Sequence, residues 1–321
     1  MSAATLDPRI TNSQKQCAMT CLRKHQLSYV LGIRQDEDAK PLRMGKAFHL
    51  GLECYGNGET PDSAVLSAVK EYDERAPASF STVEAQTDWL VEREIVARLL
   101  TGYFWRWAEM DAQMKVLAVE LSFEIPIVNP ATGRSSRTFV FAGKIDKIVQ
   151  MPDGSTIGVM EHKTTGSDLD PTGDYWKRLR IDAQISGYML GARSKGFDVQ
   201  TVLYDVARKP SIRLKQKETV EEYGERFSAD IGVRPDWYFA RREIPRIAAD
   251  LEEASYDLWQ TAQILHDCDT GNRWPKNTGA CLGFGKCSYF SLCTNGFDPS
   301  DPILPPGFKR VADPHQELIS E

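Results

Sequence analysis

The chain has 321 residues, of which 41% are hydrophobic and 26% charged, and its formal net charge is -6. This length allows one large core or a core plus a lobe, and the composition is ordinary for a globular protein. The negative charge argues against wholesale electrostatic coating of nucleic acid, although it is compatible with a local basic channel. No signal peptide opens the sequence and no long apolar segment could span a membrane, so we expect a cytoplasmic protein without membrane contact.

The region up to residue 114 is predicted to be mainly helical, because apolar residues recur there at three- and four-residue steps. The two longest predicted helices cover Asp62 to Asp73 and Glu84 to Met110. A helical segment before them places Phe48 and Leu52 beside His49 and Glu53. His49 and Glu53 are four residues apart and therefore share one face of that helix.

A sheet is predicted to follow this helical region. Alternating or apolar runs predict three strands, at Lys115 to Val128, Arg137 to Val149 and Ser155 to Lys163. A tight turn at Pro152-Asp153-Gly154 joins the last two. Antiparallel pairing across so short a turn can set Asp146 beside Glu161, and side-chain alternation brings Glu161 and Lys163 out on one face.

Helices and strands alternate in the rest of the chain. The predicted elements are a helix from about Tyr175 to Lys195, a strand from Asp198 to Ala207, a helix from Thr219 to Ile231, a strand from Trp237 to Ile244 and a helix from Pro245 to about Cys268. This order indicates an α/β fold with a central mixed sheet flanked by helices. We predict three parts, namely an N-terminal helical region (1–114), a core (115–270) and a C-terminal segment with a cysteine cluster (271–321).

Asp146, Glu161 and Lys163 together have the chemistry that phosphodiester hydrolysis requires. Two carboxylates can hold Mg²⁺ or Mn²⁺, and an ammonium group can assist the attacking water. His49 could add a nitrogen ligand. Gln184 and Tyr188, four residues apart on one helix, could orient a water, a phosphate or the lysine, or could be an ordinary helix flank.

Seven cysteines form a second pattern: Cys17, Cys21, Cys54, Cys268, Cys281, Cys287 and Cys293. The odd count and the absence of a signal peptide argue against a disulfide framework, and metal ligation explains the last three cysteines better. Three thiolates need a fourth, for which Cys21 and Cys17 compete. Four thiolates suit an iron-sulfur cluster and also zinc.

These residues resemble the PD-(D/E)XK nuclease superfamily in its RecB-like branch. The resemblance rests on Gly45, His49 and Glu53, on Gly143-Lys144-Ile145-Asp146, on Glu161-His162-Lys163 and on Gln184 with Tyr188, in the family's order. It implies a restriction-endonuclease-like core. It also implies that His49, Asp146, Glu161 and the carbonyl of His162 bind the divalent metal, that Lys163 assists the water, and that Gln184 and Tyr188 form the family's Gln-x-x-x-Tyr helix.

The cysteines are similar to those of the AddB-type and CRISPR-associated members of this branch, which carry a [4Fe-4S] cluster. In those proteins one cysteine precedes the nuclease core and three follow it. The resemblance implies that Cys21, Cys281, Cys287 and Cys293 hold the cluster and clip the chain ends together. The spacing of the last three departs from the commonest pattern, so zinc stays an alternative.

We therefore expect a metal-dependent DNA exonuclease acting on single-stranded ends, with recombination or phage proteins as possible partners. The alternative is a non-catalytic nucleic-acid-binding or recombination subunit that uses the same fold. A run of five basic residues between Arg208 and Lys217 could contact phosphates or could be a solvated loop.

Overall fold

The structure is a computed structural model that describes residues 6–36, 40–283, 285–299, 301–315 and 318. Its helices are α1 Asn12–Thr20, α2 Leu22–His25, α3 Lys40–Gly56, α4 Pro61–Glu74, α5 Val83–Asp111, α6 Asp174–Arg178, α7 Ala183–Ser194, α8 Val220–Val233, α9 Pro235–Tyr238, α10 Ala248–Thr270 and α11 Phe290–Thr294. Its strands are β1 Arg9–Ile10, β2 Ile33–Gln35, β3 Lys115–Val128, β4 Ser135–Gln150, β5 Ile157–Thr165, β6 Thr201–Arg208, β7 Phe239–Pro245 and β8 Phe308–Arg310. A π-helical turn, Gln26–Val30, follows α2.

A mixed sheet lies at the centre of the molecule, which confirms the predicted α/β class. β4 pairs antiparallel with β3 and with β5, β5 pairs parallel with β6, and β6 pairs antiparallel with β7. The short β1 adds to β4 in parallel. Helices cover both faces of this sheet, as expected when both faces carry apolar residues.

One edge of β4 has a gap in its pairing. β3 pairs with one edge of β4 along nearly the whole strand, so β1 and β5 both pair with the opposite edge, which is the edge with the gap. β5 pairs with residues 147–150 of β4, and β1 pairs with Val140 and Phe141. Residues 142–146 lie between these two ladders. The backbone there opens into a cleft instead of continuing the sheet.

Two apolar cores lie on the two faces. One joins the sheet to α7 and α10 and includes Phe141, Ile145 and Met189. The other joins α3, α4, α5 and α8 and reaches the sheet at Ala207 and Phe239. Alternation along β6 explains the division, because Tyr204 and Val206 enter the first core while Asp205, between them, faces α5.

Three glycines let helices approach their neighbours closely. A Cβ at Gly51 of α3 would lie 2.7 Å from Leu100 Cδ1 of α5. On α7, a Cβ at Gly187 would lie 2.7 Å from the Phe141 ring, and one at Gly191 would lie 2.5 Å from the Phe123 ring. These contacts fix α3 and α7, which carry predicted site residues, against the rest of the fold.

The two ends of the chain meet. β2 and β8 pair antiparallel, with Ile33 opposite Arg310. A small apolar cluster beneath them contains Leu27, Ile33, Tyr289 and Leu292, and Cys287 and Cys293 pack against it. The N-terminal segment therefore contacts the C-terminal cysteine region directly.

The structure corrects two predicted elements. The helix predicted over Tyr175 to Lys195 is broken, because Asp182 has extended backbone angles and its carboxylate caps α7 by accepting from the Gln184 N–H. The strand predicted from Trp237 begins at Phe239, since Pro235 starts a short helical turn. Within the described ranges, no helix combines the length and apolar character needed to cross a membrane.

Candidate active site

Asp146 and Glu161 lie side by side where the β4–β5 ladder ends. The last backbone pair of this ladder is Lys147 with Met160. Beyond it, the Asp146 carboxylate replaces a backbone partner and accepts a hydrogen bond of 2.8 Å from the His162 N–H. The hairpin predicted from the sequence thus does bring the two acids together.

Lys163 completes the predicted trio. Its ammonium group donates to Glu161 Oε1, two residues away on the same face of β5. Burial would lower the pKa of Lys163, but Glu161 outweighs it and raises that pKa above its usual range. The amine is therefore held in its charged form beside the two acids.

The two carboxylates have opposite shifts of their pKa. Burial, with Asp146 as the next cause, raises the pKa of Glu161 to about 7. Burial acts on Asp146 in the same direction, but His49 and Lys163 outweigh it and hold the pKa of Asp146 well below its usual range. Glu161 is therefore the more readily protonated of the two acids, because burial and the charge of Asp146 both disfavour its ionised form.

His49 reaches this site from α3. Its Nδ1 lies 3.6 Å from Asp146 Oδ1. Although burial lowers the pKa of His49, the Asp146 carboxylate raises it above its ordinary value. Glu53, one turn further along α3, lines the same cleft.

The His162 side chain points away from the acids, as alternation along β5 requires. Its Nδ1 lies 3.3 Å from Asp205 Oδ2, and its ring packs edge-on against Tyr103 and His49. Asp205 also accepts from Arg241, at 2.8 Å, and from Tyr103. A buried polar cluster on α5, β6 and β7 thus supports the β5 backbone between Glu161 and Lys163.

Gln184 and Tyr188 lie together on α7 and line the cleft. Gln184 Nε2 donates to Tyr188 Oη at 2.7 Å, and the Tyr188 ring packs edge-on against Phe123. Burial, followed by the charge of Glu161, raises the pKa of Tyr188 well above its usual value. The phenol therefore stays protonated and can donate into the site.

One cleft of about 970 Å³ is lined by seven of these side chains, namely His49, Glu53, Asp146, Glu161, Lys163, Gln184 and Tyr188. The cleft continues past α1 to Ser28 and Tyr289, which contact each other at 2.8 Å. Its wall therefore includes residues next to the cysteine region as well as the acids.

The site has oxygen and nitrogen atoms that could serve as ligands for a hard divalent cation. Glu161 Oε2 is buried and has no hydrogen-bond partner among the described residues. Two carboxylates and one imidazole are a suitable donor set for Mg²⁺ or Mn²⁺. In the described part of the chain, no three His, Cys, Asp or Glu side chains are already arranged as a metal site. Ion pairs to Lys163 and His49 occupy the acids instead.

The four predicted cluster cysteines lie in one region. Cys21 Sγ accepts from the Asn277 N–H at 3.3 Å, and Cys287 N donates to Cys281 O at 2.9 Å. Burial raises the pKa of Cys293, with Cys21 and Cys287 among the further causes, so those thiols are close to it. Cys17 instead lines the catalytic cleft.

Two groups near the site were absent from the sequence-based prediction. Glu120 of β3 lines the cleft and pairs with Lys144, and its φ of +49° is unusual for a strand residue. Nothing in the sequence signals that conformation. Asp205 is a lone acid in the apolar run Val202–Val206, which is a signal that could have identified it.

The basic run is only partly available to a ligand. Arg208 stacks over Trp237 and pairs with Asp168, and Lys209 is half-buried. Arg213, Lys215 and Lys217 are exposed. The run is therefore partly structural, with Arg208 packed against the fold and three basic side chains exposed.

Comparison with known proteins identifies a family for most of the chain. The family model described as the PD-(D/E)XK nuclease superfamily matches residues 9–294. No curated protein matches the sequence significantly. Among solved structures, a chain named "Putative exonuclease" from Eubacterium rectale is 15% identical with a TM-score of 0.47, covering 92% of this chain and 91% of that one. A protein named SSO0001 is 13% identical with a TM-score of 0.33, covering 82% and 79%.

Proposed function

The chain belongs to the PD-(D/E)XK nuclease superfamily, and we propose that it is a metal-dependent DNA exonuclease that acts on single-stranded ends. The observation that supports this most is the gap in the β4 edge, where Asp146, Glu161, Lys163 and His49 meet at one end of an open cleft. Such a cleft could admit a few nucleotides of one strand.

In this proposal, His49, Asp146, Glu161 and the His162 carbonyl hold Mg²⁺ or Mn²⁺. When bound, the cation would polarise the phosphate and lower the pKa of a bound water. Lys163, charged and fixed by Glu161, positions the attacking water or stabilises the charge that develops on the phosphate. Tyr188 and Gln184 orient Lys163 or the scissile phosphate by hydrogen bonds.

We also propose that Cys21, Cys281, Cys287 and Cys293 hold a [4Fe-4S] cluster. Their common location supports this ligand set, and the position of Cys17 in the catalytic cleft favours Cys21 over it. The cluster would add a covalent link between chain ends that already pair through β2 and β8. A reducing compartment such as the cytoplasm would keep the thiols available.

The experiment that tests the catalytic proposal is digestion of end-labelled single- and double-stranded DNA by the anaerobically purified protein. We expect Mn²⁺- or Mg²⁺-dependent release of mononucleotides or short oligonucleotides from single-stranded DNA, with EDTA abolishing it. Equal cutting of a circular single strand would overturn the exonuclease assignment. Binding without any cleavage would support the non-catalytic alternative instead.

A further inference from the structure

The cleft contains an ion pair that the catalytic proposal does not use. Lys144 and Glu120 face it from neighbouring strands, and their charged groups pair with each other. We propose that Lys144 binds the backbone phosphate next to the scissile one and that Glu120 is a positioning residue for the Lys144 ammonium. This inference rests on the proposed nuclease function and assigns part of its substrate-binding site.

The position of Lys144 on β4 supports a phosphate contact. It lies two residues before Asp146, so both side chains emerge on the same face of the strand. The Cα atoms of Lys144 and Asp146 are about 6.6 Å apart along the strand, so the two side chains can contact neighbouring phosphates of one nucleic-acid strand. A cation at Lys144 can therefore contact the neighbouring phosphate while Asp146 is at the scissile one.

Glu120 lies across from Asp146 on β3. The register pairs Val119 with Lys147 and Leu121 with Ile145, which places Glu120 opposite Asp146 between them. Like charges directly opposite each other on a sheet repel. Glu120 also has a φ of +49°, in the left-handed region that non-glycine residues rarely adopt.

Two costs therefore accompany this ion pair, namely the facing acids and the left-handed backbone of Glu120. The side chains of Lys144 and Glu120 are 20% and 16% exposed, so their ion pair is partly buried and still borders the cleft. Strained residues of this kind cluster at functional sites, where they hold a side chain in one place.

The test compares variants in two assays on a 20-nucleotide single strand. One assay measures kcat and KM for cleavage with Mn²⁺, and the other measures binding by fluorescence anisotropy with Ca²⁺ in place of Mn²⁺. The variants are Lys144→Met, Lys144→Arg and Glu120→Gln. The control is Lys70→Met, which breaks the exposed pair of Lys70 with Glu74 outside the cleft.

We expect Lys144→Met to raise KM and Kd about tenfold and to leave kcat within about twofold. The slope of log Kd against log salt should fall by about 0.7, because one phosphate contact on a single strand is lost. Lys144→Arg should restore most of the affinity, and Lys70→Met should behave like the parent protein.

Glu120→Gln separates positioning from general electrostatics. Removing a negative charge from the cleft should tighten DNA binding if charge alone matters, whereas loss of positioning should weaken binding several-fold. Unchanged KM and salt slope in Lys144→Met, or tighter binding in Glu120→Gln, would overturn the proposal. A parent protein that neither binds nor cuts DNA would instead refute the nuclease function.

Discussion

Asp205 Oδ2 lies 3.3 Å from His162 Nδ1, directly behind the two β5 residues that face the cleft. Burial would raise the pKa of Asp205, but Arg241 outweighs it and holds that pKa well below its usual range. The charged form is therefore part of the folded state. Glu161 and Lys163 depend on this buried support for their position.

Asp205→Asn should destabilise the protein by about 2–3 kcal/mol, because it removes one of the two carboxylates that pair with the buried guanidinium of Arg241, the other being Asp111. Urea unfolding monitored by circular dichroism measures this loss. The matched control is Asp168→Asn, whose carboxylate pairs with Arg208 but is 71% exposed. The control should cost less than about 1 kcal/mol. Equal losses in the two variants would mean that burial of the Asp205 pair is unimportant.

Lys163→Met should lower kcat for DNA cleavage by about 10²–10³-fold, since the site loses the cation that stabilises developing charge. The far-ultraviolet circular dichroism spectrum should stay unchanged. Lys177→Met serves as the control, because Lys177 pairs with Asp174 on the surface and does not line the cleft. Cleavage at the parent rate by Lys163→Met would remove the lysine from the proposed mechanism.

His25 makes the stability depend on pH in a predictable direction. It is fully buried and stacks against Tyr29 and Trp274. Burial, with His315 as the second cause, lowers the pKa of His25 to about 3. The unfolded chain binds the proton near pH 6.5 and the folded chain does not, so stability present above pH 6.5 is lost as the pH falls toward 3.

From pH 7 to pH 5 this group alone should remove about 2 kcal/mol from the free energy of unfolding. His25→Gln lacks the titration, so its stability relative to the parent should improve by that amount over the same interval. Urea unfolding of both proteins at the two pH values is the measurement. A parallel decline of the two proteins would contradict the assigned pKa.

Cys21→Ser should abolish iron binding, whereas Cys17→Ser should retain it. The reason is that Cys21 lies beside the C-terminal cysteines and Cys17 lies in the cleft. Anaerobic purification, an iron count and the absorption spectrum near 400 nm, where such clusters typically absorb, test this. Loss of iron in Cys17→Ser with retention in Cys21→Ser would show that Cys17, not Cys21, is the fourth ligand. A colourless protein that contains zinc would show that the four cysteines bind zinc instead of an iron-sulfur cluster.

The candidate site could be predicted from the sequence where local rules determine it. A short turn and the period of two along a strand were enough to place Asp146, Glu161 and Lys163 together. The spacing of four residues likewise predicted the Gln184–Tyr188 contact. The long helices and strands followed from their apolar periodicity, with shifts of a few residues at their ends.

Features that depend on distant parts of the chain could not be predicted in this way. The gap in the β4 edge lies between the ladder with β5 and the ladder with β1, which pairs with Val140 and Phe141. β1 is only two residues long and comes some 130 residues earlier in the sequence. No periodicity marks so short a strand. The left-handed backbone at Glu120 and the Arg241–Asp205 pair are likewise products of tertiary packing.

The central claim is that Asp146 and Glu161 hold a divalent cation that cleavage requires. The most direct measurement is Mn²⁺ binding by calorimetry to the parent protein and to Asp146→Asn, with the cleavage rate measured on the same samples. We expect the variant to keep its fold and any iron, to lose Mn²⁺ binding at this site and to have no detectable cleavage. Mn²⁺-dependent cleavage at the parent rate by folded Asp146→Asn would contradict the account.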